Sequence, residues 1–194
     1  MRIDTIKIQN FRGIVEAEYD LHPHVTVLLG NNAKGKSATL DALAMLVCNH
    51  YLWGVDGVSL QPIQNKDIRQ ELHIQRDGSA RTISYLPCVL KASAEVRGNT
   101  KHWELIRNSF NNKNKRREKT SIYGDRGSYY ESEDFFNEED SKEVTHPFLG
   151  YYSVARLSAQ KKKPTKQKIE LPNRKTAYVD PLTQANSQWK AQRW

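Results

Sequence analysis

Apolar and polar residues alternate from the start of the chain. Ile6 and Ile8 share one face of residues 3–11, with Lys7 and Gln9 opposite, which predicts a half-buried strand. Asn10-Phe11-Arg12-Gly13 reads as a turn, and residues 14–21 as its antiparallel return, with Val15, Ala17 and Tyr19 on one face. His22-Pro23 leads into Val-Thr-Val-Leu-Leu at 25–29, a continuous β-prone run that predicts a strand covered on both faces. After Ser37, residues Leu40, Leu43, Ala44 and Val47 fall at helical spacing. Ala42, Met45 and Leu46 fill other faces, so the expected helix is buried nearly all round.

Residues 51–70 read as a loop, carrying Gly54, Gly57 and Pro62. Residues 71–76, 81–90 and 91–97 predict short strands, broken at Asp77-Gly78, a strong turn signal. Residues 101–108 alternate again, with Trp103 and Leu105 on one face. The expectation is a second, largely antiparallel sheet after residue 50. From 111 to 143 the character changes: a basic run at 113–119 precedes an acidic one at 131–143, as in a charged mobile insertion or a self-compensating surface helix. Phe135 and Phe136 inside the acidic run read as a local hydrophobic anchor. Residues 146–156 return to strand character, 161–168 form a basic loop, and 175–194 show no period.

Composition narrows the picture. A chain of 194 residues sustains one substantial core. Its formal charge of +8 is compatible with DNA or RNA as a partner, although no nucleic-acid recognition motif accompanies it. No apolar run reaches the roughly 18–20 residues that span a bilayer, and the N-terminus does not resemble a signal peptide, so no membrane and a cytoplasmic setting are expected. Cys48 and Cys88 form no paired motif, and Cys48 reads as a small buried hydrophobe on the helix.

The candidate chemistry lies in Gly30-Asn31-Asn32-Ala33-Lys34-Gly35-Lys36-Ser37, which fits G-x-x-x-x-G-K-[ST]. Gly30 and Gly35 allow a tight turn and close approach to phosphate oxygens. Backbone N–H groups from Asn31 to Ala38 then form an anion cradle at a helix start. Lys36 can reach the β- and γ-phosphates of ATP, and the Ser37 hydroxyl can ligate Mg²⁺. The apolar run before the loop and the helical spacing after it supply the expected strand–loop–helix setting. No catalytic residue is assigned.

A strand ending in Asn-Phe-Arg-Gly, a hairpin, then a strand running into this loop resembles the RecF/SMC branch of the ABC-type ATPases. That branch favours G-x-N-G-x-G-K-[ST]. Gly30, Asn32, Gly35, Lys36 and Ser37 match, whereas Ala33 stands where the middle glycine is usual and Lys34 where a small residue is common. The resemblance implies an α/β fold: the N-terminal lobe of a P-loop ABC-type ATPase, with a mixed sheet around a buried helix plus an antiparallel β-subdomain. It spans residues 1–194 as one ATP-binding lobe, interrupted by 111–143. Arg12 is then expected near the nucleotide phosphates, and the loop after Tyr152 takes the place of the Q-loop, with Gln160 or Arg156 as candidates. His146–Leu157 and Ala177–Leu182 with Gln188-Trp189 look like the ATPases of the Septu and retron-associated anti-phage systems. The resemblance thus implies a homodimer or larger ATPase assembly, an HNH-type nuclease partner, and DNA or RNA contact.

Hydrolysis in such enzymes also needs a strand-ending Asp, a following Glu and a Leu-Ser-Gly-Gly-like segment. None is visible in the sequence, and Asp180 is followed by Pro181 rather than Glu. The expectation is a chain that grips phosphate without completing hydrolysis, as a fragment, a truncation or a subunit completed by another chain. Two alternatives are a non-catalytic interaction module and a nucleic-acid-binding protein using the clusters at 113–119 and 161–168. A P-loop kinase or small GTPase fits less well, because alternating βα units are expected there.

Overall fold

Ten residues from Arg2 to Phe11 form strand β1, and its alternation places Ile6 and Ile8 fully out of solvent. The computed structural model describes residues 2–51, 61–96, 98–109, 121–124 and 150–151. The chain divides into two compact units, residues 1–50 with 61–127, and 51–60 with 128–194; the elements below belong to the first.

After β1 come β2 (Ile14–Asp20), α1 (Lys36–Tyr51), a 3-10 turn (Asn65–Asp67), β3 (Gln70–Ile74), β4 (Ala80–Ser84), β5 (Cys88–Val96), β6 (Asn99–Arg107) and β7 (Ser121–Gly124). Five strands form one sheet in the order β2-β1-β5-β6-β7, and β3 pairs with β4 separately. Every ladder among the described residues is antiparallel.

Register explains the core. Ile6 stands opposite Ala92, and Ala92 opposite Trp103; Ile8 stands opposite Leu90, and Leu90 opposite Leu105. These two rows lie on one face and form a single apolar cluster with Ala42, Met45 and Leu46 of α1, and with Ile63 and Ile68. Each large side chain so buried contributes about 1.5–3 kcal/mol relative to exposure. Trp103 fixes the helix to the sheet, donating its indole Nε1–H to the Leu46 carbonyl at 3.1 Å and stacking on His50 with ring centres 4.0 Å apart. The opposite face carries Glu18, Lys7, Lys91 and Glu104 in one cross-strand row, with Lys7 on Glu18 and Lys91 on Glu104 as ion pairs. A shallow groove of about 320 Å³ crosses that charged face.

Several sequence expectations are corrected here. Residues 25–29 have no regular structure, and Val25, Val27 and Leu29 are 69%, 68% and 88% exposed. The run has strand composition, but no strand among the described residues lies alongside to accept its backbone groups. Helix α1 is buried or half-buried from Asp41 to His50, yet Leu40 is exposed, so burial all round fails at the N-terminal end.

The boundary between 81–90 and 91–97 is also displaced. The break falls at Tyr85–Pro87, where the Leu86–Pro87 peptide is cis, and Cys88–Val96 runs unbroken. The second sheet shrinks to the β3–β4 pair, because β5 joins the free edge of β1 and covers Ile6 and Ile8. Within 111–143, Ser121–Gly124 are a strand on β6 rather than part of a mobile insertion. The remainder of 111–143, including the basic run at 113–119 and Phe135 and Phe136, lies outside the described residues. So do 161–168, Arg156, Gln160, Asp180 and all but Gly150 and Tyr151 of the 146–156 segment.

Candidate phosphate-binding site

The loop from Gly30 to Ser37 joins the apolar run at 25–29 to α1, which begins at Lys36. Residues Asn31 to Lys34 and Ser37 are exposed, Gly35 and Lys36 are half-buried, and Ala38 is half-buried against the core cluster. Helix closure starts with Thr39, whose N–H and hydroxyl both donate to the Gly35 carbonyl, at 2.8 and 3.1 Å. The N–H groups of Gly35, Lys36 and Ser37 precede that first bond and make no hydrogen bond among the described residues. Such amides, at the positive end of a helix dipole, attract anions.

Lys36 is folded over the loop. Its Nζ donates to the Gly30 carbonyl at 2.6 Å and to the Asn31 carbonyl at 2.8 Å. An ammonium so held stands above the segment where the motif needs positive charge, and a polyphosphate would supply stronger, charged acceptors than two exposed carbonyls. The loop residues therefore fit a nucleotide phosphate: free amides, an ammonium already held over the loop and a hydroxyl at Ser37.

Backbone conformation shows why these residue types stand here. Gly35 has φ +88°, and a Cβ there would meet Ile14 Cγ1 at 3.1 Å. Ala33, at the position where the related loops favour glycine, has φ +63°. The left-handed conformation costs an L-residue about 1–2 kcal/mol. Ala33 therefore adopts the shape that glycine would take, and it carries that strain.

The β1–β2 turn packs against the same loop through Ile14, and it holds Arg12. Arg12 also has positive φ, +50°, and its N–H donates to the Asp67 carbonyl at 2.7 Å. Its guanidinium Nε donates to Asp67 Oδ1 at 3.0 Å, while Nη1 donates to Asp41 Oδ2 on α1. Partial burial pulls the Arg12 pKa down, but its hydrogen bonds to Asp41 and Asp67 outweigh this and leave it raised. Asp67 is itself buried, with its other carboxylate oxygen accepting from the Gln64 N–H at 3.0 Å. Asp41 and Asp67 carry this arrangement and were not singled out from the sequence. Asp41 could have been found, because it follows Ser37 by four residues on the same helix face. Asp67 sits in a stretch read as loop, with no local signal.

Comparison with known proteins fits this geometry. Residues 1–178 match the AAA ATPase domain family. The chain belongs to that family. Within it the chain is of RecF/SMC-like type. It is 33% identical over 108 residues to the DNA replication and repair protein RecF of Porphyromonas gingivalis strain W83, covering 55% of this chain and 29% of that protein. The RecF protein of Lactococcus lactis strain IL1403 is 39% identical over 46 residues, 24% of this chain and 13% of the relative. RecF from Staphylococcus epidermidis strain RP62A is 35% identical over 46 residues, 24% of this chain and 12% of the relative. The aligned stretches thus span less than a third of the relatives' length. An α/β P-loop ATPase lobe and nucleotide binding are the properties this AAA ATPase domain carries. Among the described residues, no helix is long and apolar enough to cross a membrane, and no group of three or more acidic, His or Cys side chains is placed to hold a metal.

Proposed function

We propose that this chain is the ATP-gripping part of a RecF/SMC-like ATPase acting in DNA transactions or anti-phage defence. The observation that carries the reading is Lys36, held over the Gly30 and Asn31 carbonyls at the start of α1. On this reading the amides from Asn31 to Ala38 cradle the phosphates, Lys36 moves onto the β- and γ-phosphates, and Ser37 holds Mg²⁺. Mg²⁺ would neutralise phosphate charge. Arg12, beside Gly35 through Ile14, would add a further cation. Related RecF proteins carry DNA replication and repair in their names, which supports the DNA side of the reading. ATP-driven homodimerisation and control of a nuclease partner are the working cycle we assign, on the resemblance to the Septu and retron-associated ATPases.

We further propose that hydrolysis requires residues contributed from outside this chain. Lys36 and Ser37 supply only part of what phosphoryl transfer needs, which also includes positioned water and further charge stabilisation. Titration of a fluorescent ATP analogue tests the reading: binding should saturate and be lost in Lys36→Ala, while any salt-sensitive DNA binding persists. Nucleotide binding that survives Lys36→Ala would refute it. Appreciable turnover by the purified chain would refute the need for outside residues.

A further inference from the structure

Strands β3 and β4 stand apart from the five-stranded sheet as a ribbon of their own. Every residue from Leu72 to Ile83 is exposed, so both faces of the ribbon meet solvent. Leu72 and Ile74, 67% and 76% exposed, share one face with their cross-strand partners Thr82 and Ala80. That face carries no charge. A lone two-stranded ribbon is marginal in water, and this one is held at its base instead. The Arg69 guanidinium carbon lies 4.1 Å from the Tyr85 ring centre, and the same group bonds Glu71, which also accepts from the Tyr85 hydroxyl. Backbone bonds continue the clamp, from the Tyr85 N–H to the Arg69 carbonyl and from the Arg69 N–H to the Asn10 carbonyl, both at 2.9 Å.

Charge is sorted along the ribbon. Its acids are engaged within it: Glu71 at the base, and Asp77 in the turn, where Oδ1 accepts from the Ser79 N–H at 2.9 Å and the Ser79 hydroxyl at 2.7 Å. Arg76 in that turn and Arg81 near the start of β4 are exposed, and neither side chain makes a hydrogen bond or ion pair among the described residues. The far end of the ribbon therefore presents two uncompensated guanidiniums, whose donors match phosphate oxygens. Dimensions agree. Strands of five residues run about 17 Å and lie about 5 Å apart, a width that the roughly 12 Å major groove of B-DNA admits.

We propose that the β3–β4 ribbon is a DNA-contacting arm that lies in the major groove of a duplex, with Arg76 and Arg81 on the flanking phosphates. This rests on the DNA side of the function proposed above and gives it a surface. The uncharged face with Leu72 and Ile74 then meets base edges, where thymine methyl groups accept apolar contact. The clamp at Tyr85 holds the arm in place before DNA arrives, so little ordering is needed on binding. Duplex RNA is disfavoured, because its major groove is too deep and narrow for side chains to read.

The test is fluorescence anisotropy of a short labelled DNA duplex, titrated with the full chain across a salt series. Arg76→Ala and Arg81→Ala should each weaken binding several-fold and reduce the slope of log affinity against log salt by about 1. The double variant should reduce it by about two. Arg81→Lys should keep the slope, since one positive charge still meets the phosphate. Lys101→Gln removes a charge from β6, in the other sheet, and should leave the slope unchanged. A duplex RNA of the same sequence should bind more weakly. Equal loss in Lys101→Gln, or equal binding of the RNA, would overturn the arm. Poly-glutamate competing as well as unlabelled DNA would point to an acidic protein partner and overturn it too. If DNA binding ignores both arginines, the arm falls while the DNA reading stands. If the wild-type chain binds no DNA at low salt, both fall.

Discussion

Ile14 stands where a side chain on Gly35 would have to go, 3.1 Å from the site of its missing Cβ. The contact fits the β1–β2 hairpin against the phosphate loop, and it depends on glycine twice over, through space and through φ +88°. Gly35→Ala should weaken nucleotide binding roughly tenfold or more, from about 1–3 kcal/mol of backbone strain plus the clash. Combining it with Ile14→Ala should recover only the steric share. Full recovery would show that φ is unimportant there.

Ala33 gives the opposite expectation. Its φ of +63° is already one that glycine adopts freely. Ala33→Gly should therefore bind nucleotide at least as tightly as the wild-type chain. The gain in thermal stability should be small, because glycine's greater freedom in the unfolded chain offsets the relieved strain. Ala33→Val should lose affinity, since a β-branched residue resists positive φ. Parallel titrations of the two variants check the ordering.

Arg107 is buried at the end of β6, donating to the Ile63 carbonyl at 3.0 Å, to Asn65 Oδ1 at 2.9 Å and to the Ser109 carbonyl at 2.9 Å. It ties β6 to the segment that leads into Asp67. Arg107→Met keeps the stem and removes the three bonds. It should destabilise the fold by about 1–3 kcal/mol, as read by the urea midpoint. An unchanged midpoint would mean the bonds are not holding this segment.

Both cysteines are buried, and burial pushes the Cys48 and Cys88 thiols up to about 12. At pH 8 neither should react with a disulfide reagent until the protein unfolds. The sign of the linkage follows. In the unfolded chain these thiols ionise near the ordinary value of 9.0, so between that pH and about 12 the unfolded state holds fewer protons than the folded one. Their contribution to stability is present below pH 9 and declines as pH rises through that window. Unfolding midpoints from pH 8 to 11, with Cys48→Ala and Cys88→Ala as comparisons, measure it.

How much was legible beforehand varies along the chain. The first hairpin was, because Ile6 and Ile8 alternate with polar residues and Gly13 marks the turn. The helix after Ser37 was too, from its apolar spacing, and Cys48 lies buried on it as its composition suggested. Residues 25–29 misled, because apolar β-branched content reports only a capacity to pair. Pairing also needs a neighbour, and none is present among the described residues. Joining β5 to β1 was invisible because their Cα partners lie some eighty residues apart, and local patterning carries no register at that range. In the site, the loop glycines and Lys36 were readable from motif spacing, whereas the grip of Asp67 on Arg12 arises only when the 3-10 turn meets the hairpin.

Trp103, hydrogen-bonded to the Leu46 carbonyl and stacked on His50, makes the attachment of α1 observable by light. An indole so placed emits according to the polarity and charge around it. Any lifting of the helix whose far end carries Lys36 would alter that emission. The core thus contains its own fluorophore, able to tell whether events at the phosphate loop stay local or travel down the helix.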